Sequence, residues 1–298
     1  MKRFLSILMS IVLSSFILVG CEKQNKNETK KIGFIVSTLN NPFFVDLKKG
    51  IEKEAKKLGY EVIVLDSQND PAKEVSNMED ISVKNVSLVL LNPVDSDSAV
   101  ASVMIANNEK LPIMTVDRVA NGGKVISHIA SDNVAGGVMA SEFLIDKLGN
   151  KGKVVELEGI AGSSATRDRG KGFEDGIKKS KLNIIAKQSA DFDRTKGLTV
   201  MENIIQSKGK IDAVFAQNDE MALGASKALA DANMKNVLVV GFDATDDAVA
   251  SVKKGEMAAT VAQQPILIGE TAVKYVNKYL KGEQVKDFVP VELKLITK

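Results

Sequence analysis

From residue 31 onward, short apolar runs alternate with segments in which apolar residues recur every three or four positions. The first runs are IGFIV (32–36), EVIVLD (61–66), SLVLLNP (87–93) and PIMTVDR (112–118), and a turn at Asn121-Gly122-Gly123 follows them. Helix-period segments over 42–58, 72–83 and 96–107 separate these runs. A second series repeats the style with KVVELEG (153–159), NIIAKQSADF (183–192), IDAVFAQNDE (211–220), VLVVGFD (237–243) and AATVAQQ (258–264), separated by segments such as 167–179 and 220–232. Strand and helix in strict alternation predict βαβ units, parallel sheets and helices on both sheet faces. Two such series in 298 residues predict an α/β chain of two doubly wound lobes.

The stretch STLNNPFF (37–44) stands at the end of the first run. Asn41 is a candidate N-cap and Pro42 suits the first helical position. Leu47, Ile51, Ala55 and Leu58 form one apolar helix face, and Phe43 and Phe44 lie at its edges. Periodicity leaves both phenylalanines open as core. Their place in the first turn, beyond the carboxyl end of a parallel strand, is also where open α/β sheets bind ligands.

The other strand ends carry the same mixture of residue types. Asn92 follows SLVLL, Asp117-Arg118 follows IMTV, and Asp132-Asn133 follows SHIAS. In the second half stand Asp191-Phe192-Asp193-Arg194, Gln217-Asn218-Asp219, Phe242-Asp243 and Gln263-Gln264. Polar residues at single strand ends are ordinary caps. Amides, carboxylates and arginines interleaved with phenylalanine at so many ends suit a sugar, whose hydroxyls donate to Asp and accept from Arg or Asn while its C–H faces stack on rings. Asp117 and Asp243 balance Arg118 and Arg169, which favours a neutral polyol over a phosphate, an amino acid or a metal ion.

Forty Lys+Arg against thirty-eight Asp+Glu leave a formal charge of +2 with the basic residues scattered, which argues against a nucleic-acid surface. The amino-terminal residues differ from the rest: Lys2 and Arg3 precede an apolar run from Phe4 to Val19 interrupted by serines, as in a secretory signal peptide over 1–20. LVGC (18–21) resembles the lipobox of bacterial lipoproteins, which implies cleavage before Cys21 and a lipid on that cysteine. The apolar-free stretch from Glu22 to Lys30 then reads as a solvated tether. The expectation is an exported protein anchored by lipid to the cell membrane, on its outer face or periplasmic side, and not spanning it. Cys21 is the sole cysteine, so no disulfide is available.

STLNNPFF, VLDSQNDPAKE, TVDR, SHIASDN, GIAGSSATRDRGKGF, ADFDRTKGL, VFAQNDEMALGA, VVGFD and GEQVKDFVPVELKL occur in this order from about Lys31 to Lys298. Together they closely resemble the ribose-binding family of bacterial ABC importers, type I periplasmic binding proteins. The resemblance implies that Asn41 hydrogen-bonds the sugar, Phe43 and Phe44 pack on one ring face, and Asp117 and Arg118 hold ring hydroxyls from the same lobe. It implies polar contacts from Arg169, Asn218 and Asp243 of the second lobe, with Phe192 on the opposite ring face, Phe242 lining the pocket and Gln263 completing the set from a hinge segment. It further implies three hinge crossovers, near Ser131-Asp132, Gln263-Gln264 and Leu293. The lobes would then be 31–131 plus 264–292 and 132–263 plus 293–298. The implied ligand is D-ribose or a similar small neutral sugar. The implied partners are the ABC permease and, as a further reader of the closed form, a chemoreceptor; the implied state is a monomer without cofactor or metal.

Two other classes are weighed against this. An enzyme with a histidine-dependent nucleophile would have to use His128, the only histidine, and no His/Cys metal spacing or phosphate-loop motif occurs in the sequence. A sugar-responsive repressor would need a helix-turn-helix before the first strand, where this chain carries the signal-like segment and tether. Among binding proteins, allose, galactose or a furanose signalling molecule stay open as alternatives to ribose.

Overall fold

The computed structural model describes residues 30–298; the expected signal peptide, Cys21 and most of the tether lie outside the described residues. The first lobe begins with β1 (Lys31–Val36), α1 (Pro42–Leu58), β2 (Glu61–Asp66), α2 (Pro71–Ser82), β3 (Val86–Leu91), α3 (Ala99–Asn108), β4 (Ile113–Val116) and β5 (His128–Ser131). The chain then crosses to α4 (Asn133–Leu148), β6 (Lys151–Glu158), α5 (Ser164–Ile177), β7 (Lys181–Ser189) and α6 (Arg194–Lys208). It continues through β8 (Ala213–Ala216), α7 (Asp219–Asp231), β9 (Leu238–Asp243), α8 (Asp246–Lys254) and β10 (Ala259–Ala262). It returns as α9 (Pro265–Leu280) and β11 (Phe288–Val291), and ends in β12 (Lys294–Thr297).

These strands form two sheets of six, in the orders β11-β5-β4-β3-β1-β2 and β12-β10-β9-β8-β6-β7. The first sheet is parallel throughout; the second is parallel except for β12, which runs antiparallel along β10. Each is a doubly wound α/β sheet, as the alternation of runs predicts, and the strand order reverses between β1 and β3 in one and between β6 and β8 in the other. Such reversals open a crevice beyond the carboxyl ends of the strands. The central strands β4, β8 and β10 are buried at every position, which is why they read as continuous apolar runs rather than alternating ones.

Phe34, Leu88, Leu90, Met114, Leu47 and Ile51 share one core with Ile268, Val273 and Val276 of α9, so the returning helix belongs to the first lobe's packing. In the second lobe α4 and α5 meet at backbone distance. A Cβ on Gly137 would lie 2.2 Å from the Arg169 carbonyl oxygen, and one on Gly172 would lie 2.0 Å from the Val134 carbonyl oxygen. The glycines therefore set how close α5, with Arg169 on it, sits to α4. Among the described residues no helix is long and apolar enough to cross a membrane.

Candidate functional site

The carboxyl ends of both sheets face one small, tightly closed cavity. Its lining is Asn41, Phe43, Phe44, Asp117 and Arg118 from the first lobe and Ala165, Arg169, Phe192, Asn218 and Asp243 from the second. The structure thus gathers all but two of the expected residues around one space. Phe242 is fully buried behind it, with the Arg169 guanidinium carbon 4.0 Å above its ring centroid. Gln263 stands behind Asp243, and its Nε2 donates to Asp243 Oδ1 at 2.9 Å. Ala165 is the lining residue that the strand-end pattern omits, because it lies inside the first turn of α5 and has no polar group to mark it.

Asn41 caps α1 as the sequence suggests: its Oδ1 accepts from Phe43 N at 2.9 Å. That commits the amide oxygen to the helix and leaves the Nδ2 donor as the group available to a ligand. Phe43 and Phe44 meet edge to face, with centroids 5.2 Å apart. Arg118 lies between aromatic rings of opposite lobes, 5.1 Å from the Phe44 centroid and 5.3 Å from that of Phe192. Its Nη1 donates to the Pro93 carbonyl at 3.3 Å, which fixes the plane of the guanidinium. Buried Glu74 holds the next residue, accepting from Val94 N at 2.7 Å.

Asp117 has φ 64°, a left-handed conformation that turns its side chain at the strand end. Asn92 donates to Asp117 Oδ2 at 3.3 Å and to the Val116 carbonyl at 3.1 Å, so this strand-end amide supports the carboxylate rather than lining the cavity. On the other side Arg169 Nε donates to Asn133 Oδ1 at 2.8 Å and Nη1 to the Gln217 carbonyl at 2.7 Å, with Asp243 Oδ1 3.6 Å away. Asn218 caps α7 through Met221 N at 3.0 Å and donates to the Phe192 carbonyl at 3.2 Å. Both ends of its amide are thereby engaged within the protein.

The electrostatics follow from burial. Desolvation pushes the Asp117 carboxyl above the usual range, against the pull of Arg118 and then Arg169. Desolvation likewise pushes Asp243 up to about 7, opposed first by Arg169 and then by the Gln263 hydrogen bond. Burial lowers Arg118 from its ordinary value, offset mainly by Asp117. Two carboxyl groups and two guanidinium groups thus share a space that gains by hydrogen bonds to neutral donors and acceptors.

Three buried atoms here have no hydrogen-bond partner among the described residues: Asp117 Oδ1, Arg118 Nε and Gln263 Oε1. Asp117 and Arg118 line the cavity, with Arg118 Nε 3.7 Å from Asp117 Oδ2, while Gln263 stands behind it. Buried polar atoms are almost always paired, so the two lining atoms point to a ligand that supplies both a donor and an acceptor. Across the rim the lobes touch directly. Ser96 N donates to the Gly162 carbonyl at 3.1 Å, Val119 N to Ser164 Oγ at 3.0 Å and Arg167 Nη2 to Ser96 Oγ at 3.3 Å. No group of three or more His, Cys, Asp or Glu side chains placed to hold a metal ion occurs among the described residues.

Known proteins match this chain along its length. It is 54% identical to the ribose import binding protein RbsB of Haemophilus influenzae over 286 residues, covering 96% of this chain and 98% of that protein. It is 50% identical to RbsB of Bacillus subtilis over 307 residues, covering 100% and 99%. The crystal structure of the Caulobacter myo-inositol binding protein bound to myo-inositol superposes with a TM-score of 0.86 at 32% identity, covering 91% of this chain and 94% of that one. Residues 32–284 match the family model described as a periplasmic binding protein domain, and the chain belongs to that family.

Proposed function

We propose that this protein is the extracytoplasmic substrate-binding component of an ABC importer and that it binds D-ribose in the cavity between its lobes. The observation that carries the ligand class is the pair of unpaired buried atoms on cavity-lining residues: an acceptor on Asp117 and a donor on Arg118. A hydroxyl donates one bond and accepts others, so a polyol answers both kinds at once. Phe43, Phe44 and Phe192 supply the faces for its C–H surface, and the balance of two carboxyl and two guanidinium groups favours a neutral molecule. Similarity to the RbsB proteins narrows the polyol to ribose.

In this reading, residues 31–131 with 264–292 and residues 132–263 with 293–298 move as two bodies about the three crossovers. The sugar joins Asp117 and Arg118 of one body to Arg169 and Asp243 of the other, and so favours the closed arrangement that the permease reads. A chemoreceptor is a second candidate reader of the same surface. The protein acts as a monomer without cofactor, performs no chemistry on the sugar, and is exported and held to the membrane through lipid on Cys21.

Thermal denaturation with D-ribose, D-allose, D-galactose and myo-inositol tests the assignment. A ligand bound only by the folded state at 100 times Kd stabilises it by about 2.7 kcal/mol. For a chain of this size that corresponds to a rise in Tm of roughly 5 to 10 °C. A rise with another sugar and none with ribose would overturn ribose while leaving the binding class in place.

A further inference from the structure

Behind Asp243 lies a second carboxyl group, present in the strand-end pattern but given no role by the resemblance. Asp219 is the first residue of α7, immediately after the capping Asn218, and is completely buried. Its Oδ2 accepts from Thr245 N at 2.7 Å and from Thr245 Oγ1 at 3.2 Å. Its Oδ1 accepts from Thr260 Oγ1 at 2.7 Å. Thr260 Oγ1 in turn accepts from Ala244 N at 3.2 Å, so the hydroxyl is used as donor and acceptor at once.

These bonds converge on the three-residue exit from β9. Asp243 has φ 122° and Ala244 has φ 57°, and neither is glycine. Backbone in such regions persists only where its surroundings over-determine it. Here Asp219 grips the far end of the turn at Thr245, and through Thr260 on the neighbouring strand β10 it grips Ala244. The same carboxyl explains a glycine: a Cβ on Gly241 would lie 2.3 Å from Asp219 Oδ1. The Asp219 of QND and the Gly241 of GFD are therefore two halves of one packing arrangement, although 22 positions apart in the chain.

We infer that Asp219, acting through Thr245 and Thr260, is a positioning residue that holds the strained Asp243 turn so that the Asp243 carboxyl faces the sugar. The inference rests on the reading of Asp243 as a ligand contact. Asp219 itself lies outside the cavity lining.

A double-mutant cycle separates positioning from general support of the fold. D-ribose affinity is measured by calorimetry, extended to millimolar sugar by thermal shift, for Asp219→Ala, Thr260→Val and Asp243→Ala and for each of the first two combined with Asp243→Ala. The expected result is that Asp219→Ala and Thr260→Val each weaken binding roughly tenfold or more alone and no more than about twofold once Asp243 is truncated, although ligand-free stability falls in both backgrounds. Equal losses with and without Asp243, or wild-type affinity in the single variants, would overturn the inference while leaving the site reading intact. Unchanged affinity in Asp243→Ala would overturn the site reading and the inference with it. Thr260→Val removes one hydroxyl at nearly constant shape and carries the cycle if Asp219→Ala does not fold.

Discussion

Phe192 offers a test in which backbone strain and ligand contact can be separated. The residue is 8% exposed and has φ 59°, next to Asp191 at φ 52°; a left-handed conformation is unusual for a bulky side chain. Its carbonyl is held by Asn218 Nδ2, and the following Asp193 caps α6 through Lys196 N at 2.8 Å. The turn thus pushes an aromatic ring toward Arg118 of the opposite lobe. Replacing Phe192 by Ala or by Gly removes the same ring but treats the backbone differently. In the left-handed region Ala costs about 1–2 kcal/mol, whereas Gly adopts it freely but gives up about 0.5–1 kcal/mol of chain entropy. Phe192→Gly should therefore be more stable than Phe192→Ala by roughly 0.5–1 kcal/mol, about 1 to 4 °C in Tm.

For the sugar, both variants lose the wall. A ring face covering about 60 Å² of C–H surface contributes about 1.5 kcal/mol at about 25 cal/mol per Å². Loss of the contact between the ring and Arg118 adds about 1 kcal/mol. The sum, about 2.5 kcal/mol, is roughly a 70-fold weaker Kd, equal in the two variants. Calorimetry with D-ribose and thermal melts without it supply both numbers. Wild-type affinity in either variant would refute the wall, and equal stability of Ala and Gly would refute the strain argument.

Three further outcomes are expected. Burial lowers the His128 pKa to about 4, with only the Thr115 hydrogen bond acting against it. At this one site the folded state binds fewer protons than the unfolded chain, so the contribution of His128 is fully present above about pH 6.5 and is lost as pH drops toward 4, by up to roughly 3 kcal/mol. The raised Asp243 carboxyl acts in the opposite direction as pH falls, so the test is the difference between wild type and His128→Gln in urea melts: the variant should gain roughly 2 to 3 kcal/mol on the wild type between about pH 7 and pH 4.5, and an unchanged difference would refute the role of His128. Gly162 has φ 88°, and a Cβ there would fall 1.7 Å from Asp95 Oδ2 of the opposite lobe, so Gly162→Ala should weaken ribose binding about tenfold, mainly through faster dissociation in stopped-flow traces. A normal off-rate would show that this interlobe contact does not hold the closed form. Cys21→Ala should move the protein from the membrane to the soluble fraction, and continued lipid labelling of the variant would disprove the anchor.

Much of the architecture is legible in the chain because burial on both sheet faces leaves apolar runs of strand length, and because helix starts carry local signals such as Asn41-Pro42. The antiparallel β12 is not legible: KLIT has no feature that distinguishes antiparallel from parallel pairing, and its direction is decided by where the third crossover delivers it. The site divides in the same way. Polar residues at strand ends can be read as a set, but their side-chain duties depend on partners far away in sequence. Asn218 looks like Asn41 in both pattern and capping role, yet one N–H of its amide nitrogen is also engaged, by the Phe192 carbonyl. The backbone geometry is still better hidden, since Asp117, Phe192, Asp243 and Ala244 all take left-handed φ without the glycine that would announce it. Such residues are held by tertiary contacts, and here those contacts come from Asn92, Asn218, Asp219 and Thr260. A site assembled from strained positions needs this backing layer to stay formed through opening and closing. The backing residues therefore sort by which lobe they stiffen: Asn92 serves the first, and Asn218, Asp219 and Thr260 serve the second. The second lobe carries more of the strained backbone at the cavity and correspondingly more of the support.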